Sequence, residues 1–181
     1  MLIRLCSSSP TRAKILKDSN INFTQSTPNF DEEQIKINTP KEFVYQATKG
    51  KFEAGISEFG SDIPLLACDT VVVVGNEVLR KPRDINDAKY LLELQSANSV
   101  SIVTCMMFVR GSIRYEDIIS TTYEFAKFDE VDLQEYLSSE DWRGKAGGIM
   151  VEGFAKKYIL SVDGYESTAK GLCVEALRTW L

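Results

Sequence analysis

Apolar and polar positions alternate in two rhythms along this chain, short strand-like runs interleaved with segments of helical period. Leu2-Ile3-Arg4-Leu5-Cys6 reads as a first strand. It runs into Ser7-Ser8-Ser9-Pro10-Thr11-Arg12, where Ser9 is a natural N-cap and Pro10 a natural first helical residue. Ile21 to Gln25 reads as a second strand, and the acidic loop Asp31-Glu32-Glu33-Gln34 follows. Thr39-Pro40-Lys41-Glu42 is a capping box, which predicts a helix to about Ser57, weakened in its middle by Gly50. Leu65 to Val74 is a long apolar strand, turned at Gly75-Asn76 into Glu77-Val78-Leu79. A helix is predicted over Ile85 to Leu94, and strands over Ser101–Val109 and Ile118–Lys127. A short helix Glu130–Leu137, a strand Tyr158–Val162 and a final helix Ala169–Leu181 complete the reading, the last with Leu172, Ala176 and Leu177 inward. Alternation of this kind predicts an α/β sandwich.

At 181 residues the chain is expected to form one domain, residues 1–181, large enough for a core and a cleft. No apolar stretch has the length to span a bilayer, and the opening lacks a secretory apolar region, so a cytoplasmic location is expected. Cys6, Cys68, Cys105 and Cys173 lie far apart and mostly in apolar runs, as reduced core thiols would.

Composition narrows the chemistry further. The chain has no histidine, which removes Ser-His-Asp and Cys-His catalysis and every imidazole-ligated metal site. A net charge of −5 with no dense basic run argues against a nucleic-acid partner. Neither G-x-x-x-x-G-K-[ST] nor a post-strand G-x-G-x-x-G is present.

A few residues stand out of pattern. The serines, free N–H groups and Arg12 at the first helix start would attract an anion such as phosphate, although a plain capped helix has the same sequence. Asp69 sits inside an apolar strand, where a carboxylate must be paired, metal-bound or at a cleft. Phe43, Ala47 and Lys51 recur at i, i+4, i+8, so the lysine shares an apolar helix face, either snorkelling or meeting a partner. Lys81-Pro82 and Lys145-Ala146-Gly147-Gly148 are turns by default, or places where backbone approaches a ligand.

Taken in order, these pieces resemble the Maf family of nucleotide pyrophosphatases, first associated with septum formation in bacteria. The family's L-A-S-x-S-P-R-R is similar to Leu5 to Arg12, its post-strand glutamate to Glu32, and its K-A to Lys51-Phe52. A-D-T-V-V matches Cys68 to Val72, and G-K-P-x-D matches Arg80 to Asp84. T-x-V-x-F fits Thr121 to Phe125, K-A-G fits Lys145 to Gly147, and G-L fits Gly171-Leu172.

The resemblance implies an elongated mixed β-sheet flanked by helices, two lobes around a deep central cleft, and often a homodimer. It implies hydrolysis of a nucleoside triphosphate, standard or modified, between its α and β phosphates, giving monophosphate and pyrophosphate. Asp69 would be the proton acceptor and Glu32 a metal- or water-positioning carboxylate. Both would bind a divalent cation, Mg²⁺, Mn²⁺ or Co²⁺. Ser7, Ser9, Arg12, Lys51 and Lys81 would hold the triphosphate, with Lys145 nearby.

Specificity positions fall on Thr11, Thr70 and Glu152. Forms associated with dTTP and UTP carry Arg, Thr and Gln there, and forms associated with 7-methyl-GTP carry Tyr, Gln and Glu. This chain agrees with the first set at Thr70 and with the second at Glu152. Thr11 replaces a family arginine, and Phe52 the usual alanine. The competing readings are a cell-division regulator acting through protein contacts and a nucleotide-binding sensor with impaired catalysis.

Overall fold

A computed structural model describes residues 1–37 and 39–181; the side chain of Glu33, part of the acidic loop above, lies outside the described atoms. The order of elements is β1 (Leu2–Cys6), α1 (Pro10–Asp18), β2 (Asn22–Ser26), α2 (Pro40–Phe59), β3 (Leu65–Val74), β4 (Glu77–Leu79) and α3 (Ile85–Gln95). It continues with β5 (Ser99–Arg110), β6 (Ile113–Phe125), α4 (Glu130–Ser139), β7 (Ile159–Asp163), α5 (Glu166–Ala169) and α6 (Val174–Arg178). The strands hydrogen-bond in the order β2-β1-β3-β5-β6-β7, with β4 on β3. β1 runs parallel to both β2 and β3, whereas β3–β4 and β6–β7 are antiparallel, so the sheet is mixed and the α/β expectation holds.

The chain groups into two compact units. One comprises Met1–Thr70, Val103–Ser120 and Tyr165–Leu181, the other Val71–Ile102 and Thr121–Gly164. The first is built on β1 and the opening half of β3, whose residues are almost all buried, as strands covered on both faces must be. Ile3, Leu5, Leu16, Leu66, Cys68, Met106, Phe108, Leu172 and Leu177 form its core, with Trp180 stacked on Tyr115 at the margin. The second unit packs Leu79, Leu92, Leu137 and Trp142; the Trp142 indole N–H donates to the Leu137 carbonyl at 2.9 Å, which satisfies its one buried donor. No helix among the described residues is long and apolar enough to cross a membrane.

Local rules account for most boundaries. Ser9 Oγ accepts from the Arg12 backbone N–H at 3.3 Å and Pro10 opens α1, as expected. Asp84 and Asp129 cap α3 and α4 in the same manner. Three expectations are corrected. Thr39 precedes α2 but makes no side-chain cap; its hydroxyl instead meets the Glu42 carboxylate at 3.0 Å. β6 begins at Ile113, five residues before the predicted start, because the tight turn at Gly111, with φ +57°, lets pairing start at once. The single terminal helix is in fact two short ones, α5 and α6, separated by Gly171 at φ +102°, a conformation that a continuing helix excludes.

Leu66 is fully buried in the first core. Leu66→Ala is expected to cost about 2–5 kcal/mol, seen as a lower urea midpoint at unchanged slope.

Candidate functional site

The first unit carries two polar clusters on neighbouring residues of β3. Strand periodicity turns successive side chains to opposite faces, so Asp69 and Thr70 point different ways. Asp69 faces α2. Its Oδ2 lies 2.6 Å from Lys51 Nζ, and its Oδ1 accepts from the Thr70 backbone N–H at 2.8 Å. Lys51 Nζ also lies 3.1 Å from Glu32 Oε1, so one ammonium bridges two acids. The side chains of Asp69 and Lys51 are only 10% and 17% exposed, and that of Glu32 is 47% exposed. Lys51 therefore does not snorkel. The helical period that buries Phe43 and Ala47 aims it at the strand.

Thr70 belongs to the second cluster, built around Arg12. Arg12 and Leu16 are the buried residues of α1, one turn apart, so the guanidinium follows the same face that seats Leu16 in the core. Its Nε donates to the Gly171 carbonyl at 2.7 Å, Nη1 to Ser7 Oγ at 3.0 Å and Nη2 to Thr70 Oγ1 at 3.0 Å. All three acceptors are neutral, and no carboxylate pairs with Arg12 among the described residues. A nearly buried cation without a counter-ion is an anion-attracting feature.

The threonine hydroxyls can be oriented by elimination. Thr104 Oγ1 gives its one proton to the Thr168 carbonyl at 2.9 Å, so in its 2.9 Å contact with Thr70 it must accept. Thr70 thus donates to Thr104 and accepts from Arg12, and has no proton left for another ligand. Ser7 Oγ accepts twice, from Arg12 and from the Ser9 N–H at 3.2 Å, which leaves its own proton free to donate. Gln25, opposite Leu5 in the β1–β2 register, donates to the Ser7 and Ser9 carbonyls at 2.7 and 3.4 Å. Gln25 thereby ties the end of β2 to the start of α1.

Gly171 is required by this arrangement. A Cβ there would lie 3.2 Å from both Arg12 Nε and Thr70 Oγ1, at a φ that side chains rarely adopt. Thr104, Gln25 and the Gly171 carbonyl escaped the sequence reading. Thr104 lies in an apolar run, and a backbone carbonyl carries no sequence signal.

Lys81, Lys145 and Glu152 belong to the second unit. The segments bearing the two lysines are held side by side: the Gly147 N–H donates to the Arg80 carbonyl at 3.0 Å, and the Gln95 amide donates to the Gly147 carbonyl at 2.7 Å. Lys81 and Glu152 are exposed, and Lys145 is half-buried. A cavity of about 900 Å³ in this unit includes Lys145, Tyr136, Met150 and Phe154 in its lining, but neither Lys81 nor Glu152. Thr11 is exposed on the first turn of α1.

Cysteine contributes no nucleophile here. All four are buried and free, and burial pushes the Cys6 and Cys105 thiols up to about 11 and that of Cys68 up to about 12. No group of three or more acidic or cysteine ligands suited to a metal ion occurs among the described residues.

Comparison with known proteins adds the family context. The family model described as "Maf-like protein" matches residues 2–181. A nucleoside triphosphate pyrophosphatase of a Nitratiruptor species is 52% identical over 178 residues, covering 97% of this chain and 96% of that one. Proteins of the same description from Helicobacter pylori and Campylobacter jejuni are each 35% identical. They span 98% and 100% of this chain and 93% and 100% of their own lengths. The solved structure of a nucleoside-triphosphatase / dITP/XTP pyrophosphatase from Mycobacterium abscessus is similar at a TM-score of 0.45 and 14% identity, over 99% of this chain and 91% of that one. That likeness is too slight to add to the family assignment.

Gly171→Ala forces the strained φ and presses on Arg12 together. A loss of about 1–3 kcal/mol in chemical unfolding is expected.

Proposed function

The chain belongs to the Maf-like family, and from that premise we propose that it is a nucleoside triphosphate pyrophosphatase. It hydrolyses the bond between the α and β phosphates and releases nucleoside monophosphate and pyrophosphate. One observation carries the reading: consecutive residues of β3 hold a paired carboxylate, Asp69, and the threonine that accepts from an acid-free Arg12. Hydrolysis of a phosphoanhydride needs a base for water and positive charge for phosphoryl oxygens; Asp69 offers the base, and Lys51 beside it and Arg12 on the other face of the strand offer the charge.

In the proposed reaction a water oxygen bonds to the α phosphorus while the bond from that phosphorus to the bridging oxygen breaks. Asp69 takes the water proton, and pyrophosphate leaves with the bridging electron pair. Lys51, held between Asp69 and Glu32, offers its ammonium to phosphate oxygens. Ser7 offers its free hydroxyl proton, and Arg12 its uncompensated charge. We assign Ser9, Lys81 and Lys145 to binding of the triphosphate as well, on the resemblance of their segments to the family's. No histidine is needed, in keeping with a chain that has none.

Glu32 and Asp69 suit a hard divalent cation, because each carboxylate retains lone pairs beyond its bond to Lys51. Water and substrate phosphate would supply the remaining oxygens, as is usual for Mg²⁺. A bound Mg²⁺, Mn²⁺ or Co²⁺ would supply charge to the phosphate oxygens. We assign Thr11, Thr70 and Glu152 to choice of the base. With the Thr70 proton spent on Thr104, Thr70 would act on the substrate through Arg12, and Glu152 is the carboxylate able to accept a base N–H. A cytoplasmic location, expected from the sequence, and a homodimer, implied by the family resemblance, belong to the same proposal.

The test is turnover of a panel of standard and modified triphosphates with each metal. Monophosphate plus pyrophosphate supports the reading, and diphosphate plus phosphate rejects it. Asp69→Asn should keep the fold and lose about 10²–10⁴-fold in kcat; near-normal turnover would remove Asp69 as the proton acceptor. Lys51→Ala should weaken triphosphates more than the matching monophosphate, as measured by calorimetry. Chelation with EDTA should abolish turnover, and added Mg²⁺ or Mn²⁺ should restore it; full activity after chelation would exclude the cation.

A further inference from the structure

Gly50 stands in the middle of α2, where glycine weakens a helix relative to alanine. The packing around it explains the choice. A Cβ built at position 50 would lie 2.1 Å from both Cε2 and Cζ of Phe30, so the ring rests on bare helix backbone. The Asn29 N–H donates to Glu58 Oε1 at 2.8 Å, a second attachment to the same helix about two turns on, and Pro28 is buried beside it. Phe30 precedes Glu32 by two residues, and Gly50 immediately precedes Lys51. The aromatic contact and the Glu32–Lys51 ion pair are therefore adjacent attachments of one loop to one helix. A half-exposed ion pair alone fixes a loop weakly, because solvent screens it and both side chains lose freedom. The half-buried ring, seated on glycine, is the stronger anchor.

We propose that Gly50 and Phe30 are positioning residues that bring the Glu32 carboxylate to Lys51 and so to the reaction centre. In kinetic terms this rests on the pyrophosphatase reading above; in structural terms it stands alone. Alanine at position 50 pushes the ring off the helix and carries the Glu32 loop with it, while it improves the helix itself. The helix gain offsets part of the lost ring contact, so activity should fall much further than stability, which loss of a merely structural residue would not produce.

Gly50→Ala, Phe30→Ala and the double variant would be measured in three ways: melting, steady-state turnover of a triphosphate with Mg²⁺, and amide hydrogen exchange at Asn29. For Gly50→Ala, melting is expected close to the wild-type temperature, as the helix gain and the lost ring contact oppose each other. Its kcat should fall about 10- to 100-fold with KM within about twofold, and Asn29 exchange should accelerate about tenfold. The double variant should lose no more kcat than Phe30→Ala alone, because both changes break one contact. Unchanged Asn29 exchange in Gly50→Ala would overturn the proposal, as would losses that multiply in the double variant. If the wild-type protein turns over no triphosphate, the pyrophosphatase reading fails, and the exchange measurement by itself decides whether Gly50 seats the loop.

Discussion

A buried aspartate in the middle of β3 constrains everything around it. Left alone, the charge of Asp69 would cost several kcal/mol, and breaking a buried pair typically costs about 3–5 kcal/mol. Lys51 meets that demand at 2.6 Å from the neighbouring helix, and Glu32 shares the same ammonium at 3.1 Å. Such a pair is poor evidence of stability, since an apolar pair of like volume would often serve the fold as well. Under the proposed function its presence serves the reaction. It sets two acids and a cation within one small volume beside the carboxyl end of β1, where open α/β sheets bind ligands.

The same strand organises the anion side. Because β3 alternates faces, one residue further along delivers Thr70 to Arg12 and to the Thr104–Thr168 relay. Arg12 reaches this place because α1 must bury Leu16 one turn on, and its Nε needs the Gly171 carbonyl that a continuous terminal helix would have used internally. The break between α5 and α6 thus releases a carbonyl for the guanidinium. Local backbone economy yields to a charged group that has to be held but not neutralised.

Much of this was legible from residue order. Ser9-Pro10 announced the helix start, the β-branched run Val71 to Val74 announced β3, and Asp69 announced itself by being polar in that run. What escaped was long-range. Helical period showed that Lys51 shared an apolar face, but its partner lies 18 residues on, and only packing decides between snorkelling and pairing. Thr104 lies in a mostly apolar strand, where a single hydroxyl carries no period. Gly171 looked like a helix interior because Leu172, Ala176 and Leu177 keep a helical spacing across the break. Gly50 read as a weakness, since nothing local reveals an aromatic ring arriving from residue 30. Thr39 had the letters of a capping box, yet its hydroxyl met Glu42 and not a backbone N–H.

The central claim is that Asp69 and its neighbours direct water at the α phosphorus. Hydrolysis in ¹⁸O-labelled water, followed by mass spectrometry of both products, tests this most directly. Label in the monophosphate, with unlabelled pyrophosphate, is the predicted result. Label in pyrophosphate, or release of a single labelled phosphate, would contradict it.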